Sequence, residues 1–158
     1  MARKSTSRKP QKDAPFAELN DWALAEMLAG CPKKQLSRLR VRDRISLLVQ
    51  NYLGPLGDYK PAVRRELCGL RPWNLRENAG ELYRVVDEMW TAAGDTSTDY
   101  NFYTKRGILA GVLASTMLRW LADTSDDHEA TWSFLDNRIE NVMQFEKVKS
   151  RLKERFAA

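Results

Sequence analysis

Between residues 108 and 122 the chain is apolar almost all the way round a helix. Ile108, Leu109, Val112, Leu113, Met117, Leu118, Trp120 and Leu121 are interrupted only by Ser115, Thr116 and Arg119. A helix without a polar face must be covered on several sides or must line an apolar cavity. At about 15 residues it falls short of the ~20 needed to span a bilayer, and Arg119 sits inside it. This stretch therefore demands a helical body around it.

The rest of the chain supplies one. Only eight Gly and six Pro occur in 158 residues, and long stretches carry neither, which favours helices over a sandwich of short strands. A first helix is predicted over 16–29, with Phe16, Leu19, Trp22, Ala23 and Met27 on one face and Gly30 and Pro32 to stop it. A second is predicted over 34–53, with Val41, Ile45, Leu48, Val49 and Tyr52 inward and a basic start. A third covers 60–70, with Val63 and Leu67 inward and Pro61 in its first turn. A fourth covers 75–92, with Leu75, Ala79, Leu82, Val86, Met89 and Ala93 as its stripe and Gly94 placed to end it. A fifth runs from near Asp99 to near Thr124, capped by Ser97 or Thr98. A sixth runs over 129–156, with Trp132, Leu135, Ile139, Val142 and Met143 on its core face.

Charge is unevenly spread. The net charge is +5, but Arg3, Lys4, Arg8, Lys9 and Lys12 stand against Asp13 alone at the start, so the body is close to neutral. The high pI is thus a tail property and weak support for a nucleic-acid surface. Residues 1–15 read as a disordered basic tail; they lack the apolar face of a mitochondrial transit peptide. Cys31 and Cys68 are the only cysteines, with no metal-ligand spacing, and read as small apolar residues in a reducing compartment.

Chemistry is hard to place. The lone histidine, His128, lies in a polar run that reads as a helix start. Asp95, Ser97 and Asp99 alternate like a calcium loop, but Tyr100 and Arg106 stand where that loop needs Gly and a bidentate Glu. No phosphate-binding, nucleophile or di-iron motif is present, so neither catalytic nor metal-ligating residues nor a cofactor are expected. The basic second helix lacks the preceding three-helix unit of a DNA reader, and its charge reads as a solvated face.

Two aromatic features remain. Tyr100 and Tyr103 share a face, while Phe102 points away, so Phe102 can stay outside beside Asp99, Lys105 and Arg106 as an interface anchor. Core packing of all three rings is the equal alternative. At the other end, Phe145, Val148, Leu152 and Phe156 form a stripe flanked by Lys147, Lys149, Arg151, Lys153 and Arg155. Such a helix can lie at a membrane surface or pack on the body or on another subunit.

The run at 90–106, WTAAGDTSTDYNFYTKR, resembles the signature of the ubiquinone-biosynthesis accessory lipid-binding family. LADTS at 121–125 and FLDNRI at 134–139 match it in the same order. The resemblance covers residues 75–149 well and the earlier helices loosely. It implies an all-α, TetR-like helical domain, here with a reduced or absent helix-turn-helix unit. It divides the chain into a tail (1–15), a helical lipid-binding domain (16–145) and an amphipathic helix end (145–158).

The function it implies is a non-enzymatic accessory factor of ubiquinone biosynthesis. Such a factor binds an isoprenoid quinone precursor or phospholipid and presents it to the membrane-bound di-iron demethoxyubiquinone hydroxylase. Met89, Trp90, Ile108, Leu109, Val112, Leu113, Met117 and Leu121 would line the lipid site. Asp99, Phe102 and Tyr103 would face the hydroxylase, with Phe102 standing where the family usually has Trp. Phe145, Val148, Leu152 and Phe156 would contact the membrane. A homodimer without nucleic acid is implied, at the inner face of a bacterial inner membrane or, alternatively, on the matrix side of the mitochondrial one. A TetR-type transcription regulator and a helical adaptor without lipid are the competing readings.

Overall fold

The computed structural model describes residues 8–69, 74–96, 98 and 100–157, with the side chains of Tyr100 and Asn101 excepted. The described residues form α-helices and one short 3-10 segment, with no strand among them. The order is α1 (Phe16–Gly30), α2 (Lys33–Leu36), α3 (Val41–Leu53), a 3-10 segment (Pro55–Tyr59), α4 (Lys60–Cys68), α5 (Leu75–Ala92), α6 (Tyr100–Ala122) and α7 (Glu129–Phe156). The spans of α5 and α7 coincide with those read from periodicity.

The second helix differs from expectation. It is broken into α2 and α3 by the turn at 37–40. Arg44 explains the break. Its Nε donates to the Leu39 carbonyl at 2.8 Å, and its Nη2 reaches the Ser37 carbonyl at 3.4 Å. A side chain thus takes carbonyls that a continuous helix would have kept for its own backbone. Val41, expected inward, is consequently at the start of α3 and exposed.

The chain divides into two compact units, Met1–Ala110 and Gly111–Ala158. In the first, α1 packs against α3, α4 and α5. Leu19, Ala23 and Met27 of α1 and Leu48, Val49 and Leu53 of α3 are fully buried. A polar chain runs through this core. Tyr52 Oη donates to Asn20 at 2.8 Å, Asn20 Nδ2 donates to Glu81 at 2.5 Å, and Arg84 bridges Glu81 and Asp21 at 2.7 and 2.6 Å. Burial drives the Tyr52 phenol well above its usual range, so it stays a donor.

The tail expected over 1–15 is described from Arg8. Lys9 pairs with Asp58 at 2.9 Å, the Pro10 carbonyl accepts from Tyr59 Oη at 2.8 Å, and Ala14 is buried. At the start of α5 the expected stripe is not covered: Leu75 and Ala79 are exposed, and burial begins at Val85, a position missing from the stripe.

In the second unit, Leu113, Trp120, Thr131 and Leu135 are fully buried. Of the core face read along the sixth helix, Leu135 and Ile139 are buried, Trp132 and Val142 are half-buried and Met143 is exposed.

Candidate functional site

The corner between α5 and α6 holds the signature run. α5 ends as a Schellman turn: the Gly94 N–H bonds the Thr91 carbonyl at 3.1 Å and the Asp95 N–H bonds the Trp90 carbonyl at 3.0 Å. This places Gly94 at φ 88°, a left-handed conformation that only glycine adopts without strain. Arg44 Nη1 then donates to the Ala93 carbonyl at 2.8 Å, pinning the α2–α3 turn to this corner.

Beyond the turn the run folds onto itself. Arg106 is only 3% exposed, and its Nε donates to Asp87 at 2.7 Å. Its Nη1 reaches Asp95 and the Phe102 carbonyl, each at 3.2 Å. Lys105 also holds Asp95, at 2.8 Å, and its ammonium lies 5.5 Å from the Trp90 ring centre. The Trp90 indole N–H donates to the Lys105 carbonyl at 3.1 Å. Burial works against the Arg106 charge, but its bonds to Asp87 and Asp95 outweigh that and raise its pKa further. Asp95, the first position of the calcium pattern that the sequence already rules out, is thus held by two cations. Among the described residues no cluster of His, Cys, Asp and Glu could hold a metal ion.

This geometry corrects the reading of the aromatics. Residues 102 and 106 lie on one helix face, so Arg106, reaching back to Asp87 and Asp95, covers the Phe102 ring at 3.4 Å from its centre. Phe102 is half-buried, not outside, and Arg106 is not an exposed neighbour. Tyr103 is the outward ring: it is 68% exposed and meets Phe102 edge-on at 5.1 Å. Asp99, the third residue of the expected partner patch, lies outside the described residues. Asp87 and Arg44 escaped the sequence reading, because nothing in the spacing ties them to residues 19 and 49 positions away.

The residues expected at the lipid divide by burial. Met89 and Leu113 are fully buried; Leu109, Val112, Met117 and Leu121 are buried; Trp90 and Ile108 are half-buried. Thr116, within the same helix, is fully buried, and its hydroxyl has no hydrogen-bond partner among the described residues.

The other two matching segments lie in the second unit. Asp123 accepts from the Ser125 hydroxyl at 2.5 Å and backbone N–H at 3.0 Å, and from the Thr131 hydroxyl at 2.6 Å. These bonds, led by the Ser125 hydroxyl, hold its carboxyl well below the usual carboxylate range. His128 adopts φ 55° before α7, its ring 6.1 Å from Trp132 and 6.4 Å from Trp120. Its ring stacks on Trp132 within the turn, 3.3 Å from the Asp126 carbonyl. Further along, Phe145, Val148, Leu152 and Phe156 are all exposed, Phe156 by 88%. With Lys149 and Lys153 they line a shallow depression of about 310 Å³ on α7 itself. No helix among the described residues is long and apolar enough to cross a membrane.

Residues 75–146 match the COQ9 family model. They run from the first residue of α5 into α7 and contain the corner, the Asp123 turn and all three matching segments. Over these residues the chain belongs to the COQ9 family. The chain also aligns with part of several COQ9 proteins. One is the ubiquinone biosynthesis protein COQ9 of Rattus norvegicus, 44% identical over 69% of this chain and 33% of that protein. Another is that of Xenopus tropicalis, 45% identical over 84% of this chain and 41% of that protein. The Dictyostelium discoideum protein is 30% identical over 82% of this chain and 40% of its own length. The chain thus spans well under half of these relatives. All three are named as mitochondrial proteins, which overturns the expected placement at a bacterial inner membrane.

Proposed function

We propose that this chain is a non-catalytic accessory factor of ubiquinone biosynthesis, acting in a mitochondrial setting, that binds a quinone precursor or related lipid for a membrane-bound hydroxylase. The observation that carries the reading is the COQ9 match across the α5–α6 corner. Among the described residues the corner's buried charges are paired with one another, which suits a shaped docking surface. Tyr103 is its exposed ring and leads the contact with the partner; Phe102 supports it from beneath, and Asp99 precedes it in the run. On this reading the domain is TetR-like without a DNA-reading unit, residues 16–145 form the lipid-binding body, and the exposed stripe after Phe145 touches the membrane. The Thr116 hydroxyl, without a partner among the described residues, supports a lipid with a polar carbonyl, since a buried hydroxyl is costly unless something accepts from it or donates to it.

Solvent extraction of the purified protein followed by mass spectrometry tests the reading. A stoichiometric isoprenoid quinone or its precursor is expected. Protein that carries none, and takes none up from mixed micelles, overturns it.

A second reading, a helical adaptor without lipid, also has an observation in its favour. Met89 and Leu113 are each at zero exposure, so no water-sized space adjoins either side chain. Under that reading Tyr103→Ala abolishes partner binding while extraction yields nothing.

A further inference from the structure

The turn between α2 and α3 is the most basic part of the folded chain. From Lys33 to Arg44 six cations stand against one acid, Asp43. Their roles divide. Arg44 is structural, its guanidinium committed to the carbonyls of Ser37, Leu39 and Ala93. Arg40 pairs with Asp43 at 2.8 Å, and Arg42 stands 3.9 Å from the same carboxylate. The side chains of Lys33, Lys34 and Arg38 are exposed and make no ion pair among the described residues. Val41, also exposed, follows directly. Leu36, buried beneath α2, and the Arg44 clamp fix the backbone from which these groups project.

We propose that this elbow is an electrostatic docking surface for an anionic lipid bilayer, separate from the α7 stripe and independent of any lipid bound within the fold. Three features favour a bilayer over other polyanions. Lysine is depleted from protein–protein contacts, which are built round buried aromatic or arginine anchors, and residues 33–44 contain no aromatic. A helix of four residues is too short to read a DNA groove in the way a recognition helix does. Unpaired, flexible cations beside a small exposed apolar side chain suit a laterally uniform anionic plane, which needs no shape match. Arg44 couples this elbow to the α5–α6 corner, so a protein held here by lipid presents the corner from a fixed backbone.

The test is sedimentation of the full chain with phosphatidylcholine vesicles, with and without phosphatidylserine. Each cation near such a surface contributes about fivefold in partitioning, so K33E/K34E/R38E, which also adds three anions, should lose about a hundredfold or more on anionic vesicles. It should lose nothing on neutral ones. The charge-matched control K12E/R65E/R76E should lose far less, and K33R/K34R/R38K should bind as the parent does. The same loss must appear on an L152E background, which disables the α7 stripe and thereby separates the two contacts. An unchanged triple variant overturns the proposal, as does an equal loss in the control, which would make net charge alone responsible. Binding of the parent to duplex DNA but not to anionic vesicles, with the same dependence on these three residues, also overturns it.

Discussion

Arg106 shows how much of the signature run is spent on holding itself. It and Asp95 are 3% and 5% exposed at the side chain, so removing the guanidinium takes one of two cations from a buried carboxylate. Arg106→Gln should cost about 3 kcal/mol in urea unfolding, the range seen when one partner of a buried pair is lost. Arg106→Lys should cost less, because it keeps the charge while losing the fork. Asp123 makes a pH-dependent counterpart. Its native pKa lies below the ordinary value of 3.8, so between the two the unfolded chain binds more protons than the folded one. Its contribution is therefore complete above the ordinary carboxylate range and is lost as pH falls towards the native value. Asp123→Asn should flatten the acid limb of the stability profile below about pH 4, followed by circular dichroism, and leave its shape near neutrality unchanged. Neither role was legible in sequence. A run of charged and aromatic letters gives their spacing along one helix, but Asp87 and Thr131 meet them only after the chain has turned.

At the scale of elements, legibility followed the physics of each signal. α5 and α7 were bounded well because Pro72, Gly94 and the acidic run before Glu129 punctuate long periodic stretches. Gly94 was read as a helix terminator, and the Schellman bonds at that corner agree with it. The Cβ of an alanine there would meet only Arg44 Nη1, at an ordinary 3.7 Å, so space is not the obstacle. The backbone is: at φ 88° a side chain should cost about 1–2 kcal/mol. Gly94→Ala should lower thermal stability by that amount without loss of helix content. The second helix departs from its predicted span because no Gly or Pro marks the turn at 37–40, which Arg44 holds by an interaction that a period of 3.6 cannot encode. The start of α5 differs for a related reason: Leu75 and Ala79 keep the apolar period, yet no neighbour among the described residues covers them. Periodicity reports which face is apolar; coverage is decided by tertiary structure.

For the whole molecule, the COQ9 match crosses the boundary between the two units, taking in α5, all of α6 and most of α7. What divides the two functional readings is whether α6 is packed solid or holds a guest, and Thr116 separates them. Its hydroxyl is fully buried and lacks a partner among the described residues. In a packed adaptor, Thr116→Val replaces an unsatisfied donor with a methyl group of nearly equal size, which is neutral or slightly stabilising. In a lipid carrier the same change removes a hydrogen bond to the guest and should weaken quinone retention by about fivefold to tenfold, a loss near 1 kcal/mol. Extraction gives the second axis. A ligand held at a hundred times its Kd adds about 2.7 kcal/mol, which in a chain of this size moves the melting temperature by roughly 5–10 °C. The carrier reading therefore expects solvent-extracted protein to melt lower, a quinone analogue to restore it, and Thr116→Val to blunt the restoration. Should extracted and untreated protein melt together while Thr116→Val melts at or above both, α6 is an ordinary core helix. The COQ9 segment would then act through its corner alone.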